Sequence, residues 1–133
     1  MNWKKIVLGG LAGGVVAWLA DGVLHGVVMV KTYTRLNQVF TQTEANPLWF
    51  LLINVAISVS MAALFARTRS GWAAGVKGGL TFGLFAGALL FFQFFFDPLV
   101  IDGFPYYLAW CEGGMAMIDA LLIGSVLGAV IKS

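Results

Sequence analysis

Charge is what this sequence has least of. Of its 133 residues, 11% are Asp, Glu, Lys or Arg, and there is one histidine, one cysteine and three prolines, where soluble domains carry about 25% charged residues. The lone cysteine, Cys111, excludes an internal disulfide and every multi-cysteine metal framework. A single histidine excludes a two-histidine haem site within one chain, leaving only single axial ligation through His25. The net charge of +2 is too small and too scattered to point to nucleic acid.

Apolar residues are abundant instead, at 60% of the chain and a mean hydropathy of +0.91. At roughly 20 apolar residues per crossing, the runs 6–30, 48–66, 72–96 and 106–131 predict four transmembrane helices. The expected fold is an all-α four-helix membrane bundle, a single membrane domain over residues 1–133 with no room for a soluble one. A basic start before an apolar run is also what a secretory signal shows. Here the apolar stretch is longer than a signal core, so it is expected to be retained as the first helix.

Alternate connections divide the cations unevenly. Lys4, Lys5, Arg67, Arg69, Lys77 and Lys132 fall on one side, and only Lys31 and Arg35 on the other. By the positive-inside tendency both termini are cytoplasmic. The longer connections, Lys31–Asn46 and Asp97–Phe104, are then outside. Within the first of these, Tyr33, Leu36, Val39 and Phe40 suit a short amphipathic helix at the interface, or a plain loop. Asn46-Pro47 is a good start for helix 2, Ser70 a candidate cap and Trp72 an anchor for helix 3, and Asp97-Pro98 its expected end.

Glycine is the packing signal. Gly75, Gly79, Gly83 and Gly87 recur every four residues on helix 3, and Ala116, Ala120, Gly124 and Gly128 do so on helix 4. Helix 1 has Gly10/Gly14 and also Gly22/Gly26. Such stripes let backbones approach closely in membranes. Helix 2 is bulkier, so helices 1, 3 and 4 are expected to pack most closely. The pairing of Gly9-Gly10-Leu11 with Gly78-Gly79-Leu80 hints at a parallel two-helix repeat.

The polar residues inside these runs carry any chemistry. Asp21 and His25 lie one turn apart on helix 1, while Asn54, Gln93, Glu112 and Asp119 come from the other three helices at comparable or somewhat greater depth. Such groups are expensive in a bilayer and need a reason. Three readings stand side by side. They are helix-pairing glue, Asp21 with Asn54 or His25 with Glu112, worth about 0.6–2 kcal/mol per hydrogen bond. They are a proton or solute pathway. Or His25 ligates a metal, haem or pigment, aided by Met29, Cys111 or a carboxylate. No sequence flanking His25, Cys111 or Asp119 matches a nucleophile signature, and Gly9–Gly14 lacks the strand and the Gly-Lys-Ser/Thr of a phosphate loop. No enzyme activity, cofactor or metal is therefore expected.

The opening Met1-Asn-Trp-Lys-Lys-Ile-Val-Leu-Gly-Gly-Leu-Ala-Gly-Gly, followed by Asp21 and Leu24-His25-Gly26, resembles a group of small uncharacterised bacterial four-helix membrane proteins. The resemblance extends to length and layout, and it is specific over the first 30 residues or so. It implies a multi-pass protein of the bacterial inner membrane and nothing catalytic. Small multidrug transporters are similar in size and in a helix-1 carboxylate, but Asp21 lies further out and the charges here are asymmetric. The fluoride-channel family is similar in length, yet its Gly-rich, Arg-containing opening is missing. The function expected first is an accessory or scaffold subunit, or a homo-oligomer, whose partners are lipids and other membrane subunits or itself. The alternatives are a small-solute or proton-coupled transporter using Asp21, His25, Glu112 and Asp119, and a lipid or pigment binder.

Overall fold

The computed structural model describes residues 2–41 and 46–132, which are mostly helical, with no strand among them. Helix α1 (Trp3–Val23) runs on through a π-helical turn, Leu24–Val28, into the short α2 (Val30–Arg35). Helix α3 (Pro47–Arg67) returns, and a 3-10 turn, Arg69–Gly71, leads to α4 (Gly75–Gln93). A 3-10 turn, Phe94–Phe96, and the short α5 (Asp97–Val100) extend α4, and α6 (Tyr106–Val130) closes the bundle. Four of these stretches are long and apolar enough to cross a membrane: Trp3–Val28, Pro47–Arg67, Gly75–Val100 and Tyr106–Val130. Leu8, Leu19, Leu52, Phe85 and Leu89 all point outward. That surface is untenable in water and ordinary in lipid. The chain is a multi-pass membrane protein.

The helix starts follow local chemistry. Asn2 Oδ1 accepts from the Lys5 amide at 3.2 Å, and Asn46 Oδ1 accepts from the Leu48 amide at 3.0 Å with Pro47 beside it, as the sequence predicts. Helix α4 departs from expectation. It begins at Gly75 rather than at Trp72, its cap position is Ala74 with no side-chain bond, and Ser70 lies within the preceding 3-10 turn. Trp72, the expected anchor, lies in the connection just before α4. Its ring packs on Phe82 and Phe85, and its indole N–H donates to Thr68 Oγ1 at 2.8 Å. Arg69 ties this corner together, donating to the carbonyls of Ile131, Trp72 and Ala73. At the far end, Asp97-Pro98 does not stop helix 3. Pro98 sits in the first turn of α5, where a missing N–H leaves nothing unpaired.

Packing also departs from expectation. The tightest pair is α4 with α6, where added Cβ atoms at Gly79 and Gly124 would each collide with the other's carbonyl oxygen, and one at Gly83 with that of Ala120. Gly87 abuts Met117, and Gly75 takes part through its carbonyl, which lies against Gly128. Helix α1, however, packs more extensively on α3 than on α6, and it forms no comparable pair with α4. The reason is that one glycine-bearing partner suffices. Gly10 and Gly14 receive the backbone and side chains of Val59 and Val55, and a Cβ added to either glycine would fall 2.6 Å from a valine atom. Bulky α3 therefore fits against α1, while Gly9, one position earlier, faces α6 at Leu127 and Gly13 lies between Ser58 of α3 and Ile123 of α6. Helices α3 and α4 scarcely touch, leaving a seam between the α1/α3 and α4/α6 pairs.

Two apolar clusters result. Ile6, Phe65, Phe82, Ile123 and Leu127 fill the end of the bundle that carries the termini. At the opposite end Met29, Phe104, Leu108, Ala109 and Met115 form a second cluster, over which Tyr33, Leu36, Val39 and Phe40 fold. The amphipathic pattern after helix 1 is thus used to cap the bundle, by a helix over Val30–Arg35 and turns beyond it. Residues 42–45 of that segment lie outside the described residues.

Candidate functional site

Between the two clusters lies a cavity of about 420 Å³ to which all four long helices contribute. Its polar wall comprises Asp21 and His25 from the end of α1, Asn54 from α3, Gln93 and Asp97 from the end of helix 3, and Glu112 and Asp119 from α6. Each of the six polar residues singled out in the sequence reaches this one space. Phe50, Ile53, Ile57, Leu90 and Phe94 supply its apolar wall.

The helices bring these groups together by departing from α geometry. In the turn Leu24–Val28 the Met29 amide donates to the Leu24 carbonyl at 2.9 Å, a five-residue step that widens the helix where His25 sits. Such turns are frequent at functional sites. On helix 3, tightening to a 3-10 turn over Phe94–Phe96 turns Gln93 and Asp97 to the same cavity.

The hydrogen bonds form a directed chain. Tyr33 donates its hydroxyl hydrogen to Glu112 Oε1 at 2.6 Å, so its oxygen can only accept from His25 Nδ1, 2.5 Å away. Nδ1 therefore carries a hydrogen. His25 Nε2 then faces Asp21 Oδ1 at 3.5 Å, and Glu112 Oε2 lies 3.9 Å from Nδ1. On the other side, Asn54 Nδ2 donates to Asp21 Oδ2 at 2.7 Å and to the Phe50 carbonyl at 3.1 Å, which fixes the amide and pins the carboxyl. Asp119 lines the same cavity as Asp21. Asp119 Oδ1 has no hydrogen-bond partner among the described residues.

Exposure grades along this chain. His25 is 38% exposed, against 17% for Asp21 and 12% for Glu112, so the imidazole is the outer member and the carboxyls lie behind it. Tyr33 stands over it on α2, its ring nearly parallel to that of His25 and edge-on to Phe40. Burial first, and then the hydrogen bond to Glu112, push the Tyr33 phenol up from its ordinary value. It remains a hydrogen donor at any physiological pH. The chemistry available is proton exchange and recognition of a small polar or cationic group. Among the described residues no three His, Cys, Asp or Glu side chains form a metal-binding group, and Cys111 packs against the second apolar cluster.

Two members of the site are not evident in the sequence. Tyr33 reads there as part of an apolar stripe, and only its phenolic oxygen distinguishes it from the neighbouring Leu36 and Phe40. Asp97 reads as a helix stop. The sequence signal for it was its spacing of four from Gln93, which keeps both on one face if the helix continues.

No family model, curated protein or solved structure matches the chain, so its fold and this cavity are what bear on its role.

Proposed function

We propose that this protein is a non-enzymatic membrane protein that binds a small solute in the four-helix cavity and couples its passage to proton movement. One observation carries the reading: polar side chains from four different helices converge on one cavity, with hydrogen bonds from Asn54 to Asp21 and from His25 through Tyr33 to Glu112, and a 3.5 Å contact between His25 and Asp21 joining the two sets. Helix-pairing glue needs two partners per bond and no empty space. An intramembrane histidine set between two carboxyls beside a cavity is the arrangement expected of a relay. The cations Lys4, Lys5, Arg67, Arg69, Lys77 and Lys132 all belong to the end of the bundle opposite the cavity, which supports a topology with both termini inside and the cavity nearer the outer face. The resemblance of the first 30 residues supports placement in a bacterial inner membrane.

The test is reconstitution into liposomes with an internal pH dye, challenged with methylammonium, tetramethylammonium and choline. Solute-evoked proton movement in the wild type, lost in Asp21→Asn without change in elution profile, is the expected result. Absence of evoked movement with every solute overturns the reading.

A second reading rests on a separate observation. Gly22 and Gly26 face outward with nothing within 4 Å of an added Cβ, so helix 1 keeps a small-residue face that no helix of this chain uses. That face favours an accessory subunit or a homo-oligomer, with another membrane helix as the occupant. The two readings are compatible.

A further inference from the structure

The cavity adjoins a second space, and the pair differ in character. Ile57 and Leu90 line both the polar cavity and a groove of about 390 Å³ along the seam between α3 and α4. Apart from Ser60, whose hydroxyl is already bonded to the Ala56 carbonyl, the groove is walled by apolar residues including Ala56, Ile57, Met61, Ala86 and Leu90. It lies toward the middle of both helices, so it extends from the cavity toward the bilayer centre and opens sideways where α3 and α4 scarcely meet.

Charge sets what the polar end accepts. Asp21, Asp97, Glu112 and Asp119 line it against His25, and neither Lys nor Arg does among the described residues. Acidic side chains there outnumber the one imidazole by four to one. An anion is repelled there, a cation attracted, and Asp119 Oδ1 has no hydrogen-bond partner among the described residues. The cavity volume lies within the range of small-molecule sites.

We infer that the ligand is an amphiphilic cation that enters from the lipid, its ammonium head among these carboxyls and its alkyl tail in the α3/α4 groove. The inference rests on the solute-binding reading above and adds the ligand class and the route of entry. Lipid is as apolar as the groove, so the tail gains little from burial itself. What the groove provides is a path that keeps the tail in lipid-like surroundings while the head reaches the polar wall.

The test uses the full chain in phosphatidylcholine nanodiscs, titrated calorimetrically against empty nanodiscs. The probes are decyltrimethylammonium, tetramethylammonium and decyl sulfonate. The expected result is saturable binding of both cations and none of the sulfonate. Filling the groove by Ala86→Leu weakens the decyl probe by about tenfold, or 1.4 kcal/mol, and leaves tetramethylammonium unchanged. Ala56→Leu, at an exposed helix position that tolerates a larger side chain, gives the same split should Ala86→Leu disturb packing. Equal binding of the decyl probe by wild type and both groove variants overturns the lateral route, as does saturable binding of the sulfonate. Either result leaves standing a protein that still moves protons with tetramethylammonium in liposomes. A wild type that moves no protons with any solute loses the solute-coupling reading itself, whatever it binds.

Discussion

The two ends of the bundle are built on opposite rules. At the end of the bundle that carries Ile6 and Ile131, helix backbones touch through Gly79, Gly83, Gly124 and Gly128, and the core of Ile6, Phe65, Ile123 and Leu127 is apolar. Toward the long connections, α1 loosens into a π-helical turn and helix 3 tightens into a 3-10 turn, while ionisable groups line an open cavity. The difference teaches where rigidity and adaptability are placed. Close glycine contact fixes the relative position of α4 and α6 at one end. Irregular helix at the other end frees carbonyl and amide geometry and re-aims side chains, and membranes tolerate such irregularity only where it faces protein or a polar cavity. A regular frame thus holds an irregular site.

The sharpest way to break this comparison is to spoil the frame. In Gly79→Val the new Cβ collides with the Gly124 carbonyl, and neither backbone can yield without parting the helices. A loss of about 3 kcal/mol or more is expected, the upper end of overpacking effects. Fluorescence-detected size exclusion during heating should show loss of the monodisperse peak. A stable Gly79→Val protein would mean that the glycine contact is not what holds the frame.

Within the site, the largest effect should come from Asn54→Leu. Asn54 is the partner that pins Asp21, and its removal leaves Asp21 Oδ2 without a donor beside a fixed cavity wall. A loss of about 1–2 kcal/mol in thermal stability is expected. If the cavity end adapts as its irregular helices suggest, unfolding shifts modestly while proton movement in liposomes is lost. Loss of fold as severe as in Gly79→Val would erase the distinction between the ends.

How much of this was legible beforehand follows the same division. The frame is periodic, and periodicity survives in one dimension: four-residue glycine spacing marked α4 and α6 correctly, and apolar length marked four helices. What periodicity could not supply was which helix faces which. The β-branched Val55 and Val59 fit the Gly10/Gly14 notch, so bulk on α3 did not exclude it from close packing. The site is aperiodic. Asp21, His25, Asn54, Gln93, Glu112 and Asp119 stood out because they are polar in apolar runs. Asp97 and Tyr33 did not, since both lie where the sequence already supplies a turn or an interface to explain them. Their roles depend on a helix that continues past Asp97-Pro98 and on a segment that folds back over the bundle, and both are tertiary outcomes.

A smaller effect is expected from Tyr33→Phe, which removes the bridge between His25 and Glu112 and leaves the aromatic packing on Phe40 in place. The cost in stability should be about 0.5–1.5 kcal/mol. Because the folded phenol is pushed up, folding favours its protonated form. The stability it contributes is fully present below the ordinary phenol value and is lost progressively as pH rises from that value through the folded one. Tyrosinate absorbance at 295 nm should therefore develop identically in wild type and Tyr33→Phe through about pH 10. Loss of a tyrosine's worth of signal there would show that α2 leaves Tyr33 open to water.

The smallest effect on the fold should come from Gly26→Leu, and it sharpens the comparison most finely. Glycines occur at both ends, yet those of the frame are filled by partner helices and Gly22 and Gly26 face outward from the irregular end. With open space around it, a side chain at position 26 should change thermal stability by no more than about 0.5 kcal/mol in dilute detergent. Its effect should appear in assembly. Native mass spectrometry of the wild type extracted gently from its own membrane should show a larger species, with itself or another membrane chain, that Gly26→Leu shifts toward the monomer. If the species persists unchanged, the outward glycines are not an interface. If the wild type is monomeric at all mild-detergent concentrations, the irregular end serves its cavity alone, and the glycines there are explained by the widened turn that aims His25 rather than by a partner.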